Sequence, residues 1–322
     1  MAGDKKNKKD KKDNKSKKKK NKQKKIRTLI VTKSVRGRAQ GGDNSAKSIV
    51  FLGVLWLSLF LAFAFLVTLI VTTLLDGWTR LDGTLITEFP ASRPERAGAR
   101  PAILGSMMVI GFTALFTLPL GIAAGVHLEE FSDRNKWYNR IVELNVQNLA
   151  AVPSIVYGLL TLGALTAMGV DNKNIVAGGA MALSLLILPV VIIVTREALR
   201  SVPEEIRHGS LALGATPLQT LFRSTLPSAV PGIATGSILA LSRALGEAAP
   251  LLILGGLVFV SFDPNGLLSG YTTLPIQIFN WTGRPQEEFH TLAAAASILL
   301  LGLLLAMNAV AIVIRNRYQK RW

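Results

Sequence analysis

Long apolar blocks separated by polar stretches dominate this chain. Six blocks reach the length of a membrane span, at roughly 49–75, 102–127, 145–168, 175–195, 232–260 and 290–314. A hydrocarbon core of about 30 Å takes about 20 residues of apolar helix to cross. The pattern therefore predicts an all-α polytopic membrane protein with six transmembrane helices. Pro119 falls inside the second block and Pro153 inside the third.

The segment between the fourth and fifth blocks breaks the pattern. It is polar and rich in helix formers, with Pro203, Gly214, Pro217, Pro227 and Pro231 as punctuation. Pro203 suits a helix start, where a missing N–H costs nothing. Glu204 and Glu205 then fall in the first turn, where negative charge suits the helix dipole. Gly214 permits a sharp turn. Pro217 restarts a second short helix and Pro227 is expected to end it. Two short helices over about 203–227, too short for a domain and too polar to span, make a docking element across the mouth of the bundle.

Composition agrees with a membrane protein. Hydrophobic residues make up 49% of the 322, and the mean hydropathy is +0.37. There is no cysteine, which excludes disulfide and thiolate chemistry. The formal charge of +17 is unevenly spread. Residues 1–25 hold 14 Lys and 3 Asp, a net of +11, which leaves +6 for the rest. Residues 1–48 form a Lys-rich leader too poor in apolar side chains to fold alone, so a disordered cytoplasmic tail is expected. It reads as a topogenic segment whose contact is membrane lipid rather than nucleic acid.

Loop charges set the expected orientation, because Lys and Arg collect on the cytoplasmic side. The leader shares one side with Arg134, Lys136 and Arg140, with Arg200, Arg207 and Arg223, and with the C-terminal Arg315, Arg317, Lys320 and Arg321. Both termini are then cytoplasmic, and 76–101, 169–174 and 261–289 lie outside. The last of these carries Tyr271, Pro275 and Trp281, which suit an interfacial anchor or a cover over a pore mouth. The chain divides as 1–48 tail, 49–101 first span with its external loop, and 102–322 the main transmembrane domain.

Candidate chemistry is sparse. Gly41–Ser48, GGDNSAKS, approaches a phosphate-loop pattern, but Ala46 replaces the second Gly and no strand precedes it. The three His (127, 208 and 290) have no metal-ligand spacing, so no metal is expected. No Ser/His, paired-Asp or His-Glu-x-x-His arrangement marks an enzyme. Two charged sites stand out inside or beside the apolar blocks. Arg243 and Glu247 are four apart, so on one helix they share a face and can pair. A charge at the bilayer centre costs at least about 2.5–3.5 kcal/mol, so both should face the bundle interior. They suit either an oxyanion pathway, with Arg243 as a bidentate donor, or an ion pair locking spans together. Arg196 and Glu197, at the end of the fourth block, are a second candidate pair.

These residues carry a family resemblance. Gly214 followed by Leu226-Pro227 is in register with the coupling motif of binding-protein-dependent ABC importer permeases, E-A-A-x3-G-x9-I-x-L-P. His208, Gly209 and Ser210 stand where Glu-Ala-Ala is usual, and Ser224 where Ile is usual. Ala151–Gly158 (AVPSIVYG), Arg196–Leu199, Ala212–Thr216 and Ser242–Leu251 (SRALGEAAPL) closely resemble the phosphate-importer permeases, over about 100–314. The resemblance implies the ABC type I importer permease fold in a prokaryotic inner membrane. It implies a second permease subunit, a cytoplasmic ATPase dimer that uses ATP and Mg, and an external phosphate-binding protein, with no cofactor or ATPase site in this chain. His208, Gly209, Ser210, Gly214, Leu226 and Pro227 become ATPase-coupling positions, and Arg243, Glu247, Arg196 and Glu197 substrate-pathway candidates. An importer for another oxyanion and an ion-coupled secondary transporter are the alternatives. Against the transporter stand the coupling-type insert and the lack of an obvious internal repeat.

Overall fold

The computed structural model of the chain describes residues 46–133, 136–256 and 259–318. Residues 1–45 of the expected 1–48 tail, with the Gly41–Ser45 part of the phosphate-loop-like stretch, lie outside them, and 46–48 already belong to the first helix. Contacts divide the chain into a unit ending at Leu69 and a second from Ile70 onward. Helix α1 (Ala46–Gly77) runs through that boundary. Side chains along its apolar stretch, such as Phe51, Trp56, Phe60 and Phe65, are exposed, as lipid-facing side chains are.

The second unit opens with a folded loop. Asp82 caps the short α2 (Gly83–Thr87) by accepting from the Leu85 N–H. Leu85 is fully buried with Ala97, Ala99, Leu274, Trp281 and Phe289. Helix α3 (Arg100–Val126) follows and runs into a π-helical turn, His127–Phe131. Then come α4 (Trp137–Ala150), α5 (Ser154–Ala167) and α6 (Val176–Arg200). The polar insert supplies α7 (Glu204–Ala212) and α8 (Pro217–Thr220). A π turn (Leu221–Thr225) leads into α9 (Leu226–Leu245). The chain closes with α10 (Ala249–Ile253), α11 (Leu274–Thr282) and α12 (Glu287–Tyr318). Among the described residues, five stretches are long and apolar enough to cross a membrane, and a sixth is formed if α4 and α5 are one broken span.

Two expected spans are corrected. The third, drawn over 145–168, is two helices bent by 105° between Ala150 and Ser154. Pro153 has no N–H to donate, and it drives the residue before it out of helical backbone. The fifth, drawn over 232–260, instead runs from Pro217 to Leu245. Pro227 does not end the second insert helix. Its missing N–H and its ring disturb the carbonyl four residues back, at Arg223, and the helix accommodates this by widening. The Leu226 N–H accordingly bonds back to the Leu221 carbonyl, five residues away. The helix does stop at Gly246, so the expected span does not continue: a break and the short α10 follow it.

The packing of α3 on α6 organises the second unit. Every fourth residue from Gly105 on α3 to Glu129 on the π turn that extends it is buried: Gly105, Val109, Thr113, Thr117, Gly121, Gly125 and Glu129. This is an i±4 ridge, the kind that interlocks with a facing helix. A Cβ at Gly121 would lie 2.7 Å from Val191 Cγ1, and one at Gly125 2.7 Å from Thr195 Cβ. Bare backbone at these positions lets the helices approach closely, as small residues do in membranes, where lipid offers no hydrophobic drive for association. The Thr113 hydroxyl bonds the Val109 carbonyl of its own helix and also reaches the Ala180 carbonyl of α6 at 3.3 Å. At the far end of the ridge Gly105 meets the backbone carbonyl of Thr272, and the Ser106 hydroxyl accepts from the Leu274 N–H that opens α11.

Gly105→Ala is expected to lower the thermal stability of the detergent-solubilised protein, at a cost of roughly 1–3 kcal/mol, because a backbone carbonyl cannot retreat as a side chain can. Gly111→Ala, where a Cβ meets nothing within 4 Å, is the control and should be neutral or slightly stabilising. Equal melting temperatures for the two variants would refute the close-approach account.

Candidate functional site

Three groups of predicted residues can be placed. The first is the insert. Pro203 stands immediately before α7, and Glu204 and Glu205 occupy its first turn. Gly214 has φ +86°, a left-handed backbone suited to glycine. The Ala215 N–H bonds the Ser210 carbonyl and the Gly214 N–H bonds the Leu211 carbonyl, the paired closure that ends many helices at glycine. Thr216 and Gln219 then cap α8 reciprocally. His208 and Gly209 are exposed, Ser210 hydrogen-bonds the Thr220 hydroxyl at 2.9 Å, and Pro227 is exposed. Leu226 packs beside Ala198, Leu199 and Ile233. An apolar group, Leu211, Leu213, Leu218 and Phe222, stands out from the insert, with Leu213 91% exposed.

The second group surrounds Arg196, and it differs from the expected Arg196–Glu197 pairing. Neighbours in a helix point in different directions. Glu197 is exposed and faces Arg200 at 3.5 Å, while Arg196 is buried. Arg196 Nε lies 3.3 Å from Glu129, on the π turn after α3, and its Nη2 lies 2.8 Å from Glu143 on α4. Arg200 Nε shares Glu129 at 2.9 Å. Arg207 on α7 lies 2.7 Å from Glu130 and donates to the Leu199 carbonyl at 3.0 Å. A cavity of about 300 Å³ opens beside this cluster, lined by Leu128, Ser132, Asn139, Arg140, Glu143 and Arg196. Reading the residues in order missed Glu129, Glu130 and Glu143 altogether and took Arg200 and Arg207 as loop charges. The available signal was the tandem Glu129–Glu130 at the end of an apolar block, opposite an Arg-rich segment.

The third group is Arg243 with Glu247. Arg243 sits in the last turn of α9, where positive charge suits the helix dipole, and is exposed. The buried Leu241, Ala244 and Leu245 lie on the other faces of that turn. Because the helix ends at Leu245, Glu247 falls in the break before α10 and is half-buried. Among the described residues no ion pair closes between the two. Ser242, next to Arg243, ties α9 to α12 through Asn308 at 3.0 Å.

The arrangement thus combines an exposed two-helix insert with a proline-widened entry into the next span. The family model described as "Binding-protein-dependent transport system inner membrane component" matches residues 117–321, well over half the chain. The chain belongs to this family. Among the relatives of this permease are a probable ABC transporter permease protein of Bacillus subtilis, YqgI, and PstA of Yersinia pestis. YqgI is 35% identical over 70% of this chain and 74% of its own length. The phosphate transport system permease protein PstA of Yersinia pestis is 32% identical over 77% of this chain and 83% of its own. The fold is shared with solved transporters. A chain of a bacterial alginate ABC transporter superposes with a TM-score of 0.60 at 16% identity, covering 85% of this chain and 96% of that one. A chain of the MetNI methionine transporter does so at 0.53 and 21%, covering 69% and 96%. The chain is therefore a multi-pass membrane permease of an ABC importer, a transport component.

The ion cluster should dominate the stability of the end of the bundle that carries the insert. Arg196→Met removes the buried guanidinium from Glu129, leaving Arg200 on its other oxygen, and is expected to cost about 1.5–3 kcal/mol. Glu143→Gln, at a side chain 32% exposed, should cost under about 1 kcal/mol. Thermal denaturation of the two variants checks the ordering.

Proposed function

We propose that this permease carries inorganic phosphate inward as one half of the pathway of an ATP-driven importer. The support is the likeness to permeases named for phosphate transport. PstA of Yersinia pestis and the probable PstA of Methanocaldococcus jannaschii are 32% and 31% identical over about three-quarters of the chain. The observation that carries the reading to a site is Arg243, an exposed guanidinium at the end of a span, making no ion pair among the described residues. A guanidinium stays charged and grips an oxyanion through two parallel N–H donors. In this reading the face bearing Arg243 lines a path completed by a second permease subunit, with Glu247 in the break that follows α9. Buried Arg196, already held by two carboxylates, serves structure rather than the path, and Glu197 stays at the surface.

The insert is the site for the cytoplasmic ATPase dimer, which supplies ATP and Mg chemistry that this chain lacks. His208, Gly209 and the projecting Leu213 offer the contact, and Gly214, Leu226 and Pro227 set its geometry. The insert end of the bundle and both termini then face the cytoplasm, and an external phosphate-binding protein delivers substrate at the opposite end. An importer for another oxyanion would use the same guanidinium, and competition between anions separates the two.

With the partner subunits in proteoliposomes, phosphate uptake is expected to fall at least about tenfold in Arg243→Ala and to recover only in part in Arg243→Lys, which keeps the charge and loses the fork. Complex assembly should be unchanged in both. Full uptake in Arg243→Ala would overturn the pathway assignment. Uptake of sulfate or molybdate in preference to phosphate would overturn the substrate.

A further inference from the structure

Helix α7 is held in an unusual way for an element that transmits force. None of its residues is buried, and Ile206, half-buried, packs on the cluster of Ala198, Leu199 and Ile233. Its orientation therefore depends largely on polar ties. Two of these reach back to the bundle through Arg207: a hydrogen bond to the Leu199 carbonyl of α6 and an ion pair with Glu130. The Arg207 and Glu130 side chains are 26% and 14% exposed. Such a pair is too enclosed to be discounted as an open surface contact. The residue before Glu130 is the anchor of a separate cluster. Glu129, 2% exposed, takes Arg196 and Arg200 of α6, and Arg196 in turn holds Glu143 of α4.

Both glutamates lie on the π turn that extends α3. In this turn the two consecutive carboxylates grip different elements, Glu129 the end of α6 and Glu130 the insert. Glu129 is also the last step of the buried ridge that runs down α3 through Gly121 and Gly125.

We propose that Glu129 and Glu130 are positioning residues that latch α7 to α3, so that displacement of α7 is passed through the Glu130–Arg207 pair to α3 while Glu129 keeps the end of α3 registered on α6. This rests on the reading of the insert as the ATPase-coupling site. The latch gives the insert a second route into the bundle beside its covalent links to α6 and α9. It makes the α3 ridge, and not the flanking spans alone, part of what moves. Neither glutamate touches substrate. Their contribution is to the efficiency with which hydrolysis drives transport.

The test uses the complete transporter with its binding protein in proteoliposomes, and reads phosphate uptake and ATP hydrolysis in parallel. Glu130→Arg and Arg207→Glu are made singly and together. Each single reversal is expected to lower uptake per ATP hydrolysed by roughly tenfold, the size of an ordinary coupling free energy, with hydrolysis and assembly retained. The double reversal restores the pair and should bring the ratio back to within about threefold of wild type. An unchanged ratio in the single variants overturns the latch. So does an equal fall of uptake and hydrolysis, including through loss of assembly, and so does a double variant no better than the singles. A wild-type complex whose hydrolysis does not respond to the loaded binding protein would count against the coupling reading itself, a failure distinguishable from that of the latch.

Discussion

The close approach of α3 and α6 is the constraint on which the rest of the second unit depends. Inside a bilayer apolar side chains gain nothing by leaving lipid for protein, so helices associate through backbone proximity and polar contacts. The ridge on α3 supplies both. Bare backbone at Gly121 and Gly125 lets Val191 and Thr195 of α6 sit against it. One step further the ridge reaches Glu129, and α6 answers with Arg196 and Arg200. The buried charges are tolerable because that geometry is already set. A carboxylate met by two guanidiniums at about 3 Å offsets much of its desolvation, whereas a displaced one would not.

Proline and glycine divide the remaining spans into functional pieces. Pro153 separates α4, which supplies Glu143, from α5, which packs in the core through Tyr157. Pro227 widens the entry of α9 without breaking it, so the insert and the span form one continuous rod from Pro217 to Leu245. A rod of that kind carries a push at α8 directly to its other end. That end is Arg243. Gly246 then stops the helix and leaves the guanidinium exposed instead of tied to Glu247. The proposed coupling surface and the proposed anion contact are thus opposite ends of a single element.

Much of this was legible from the order of residues. Apolar blocks reveal spans because a bilayer demands about 20 apolar residues in a row and accepts no unpaired backbone. The turn at Gly214 and the helix starts at Pro203 and Pro217 followed from local backbone chemistry and appear in the structure. The Gly214 to Leu226-Pro227 register pointed to the family to which the chain belongs. Local reasoning failed where a residue had two permissible outcomes. A proline can end a helix or be absorbed by a wider turn, and Pro153 and Pro227 took different courses. The pattern of Arg243 and Glu247 promised a shared face only if the helix continued, and Gly246 ended it.

By itself the sequence determined the class of the protein, the approximate spans, the insert and its turns, because these depend on hydropathy and on backbone preferences acting within a few residues. The tertiary structure alone decided the partners of the charges. Arg196 had an adjacent glutamate in the chain and bonded two distant ones, Glu129 and Glu143, because adjacent helical side chains diverge while packed helices bring remote ones together. The same holds for the glycine ridge and for Arg207 with Glu130. Ion pairing depends on distances of a few ångströms between elements, and those distances exist only once the helices have packed.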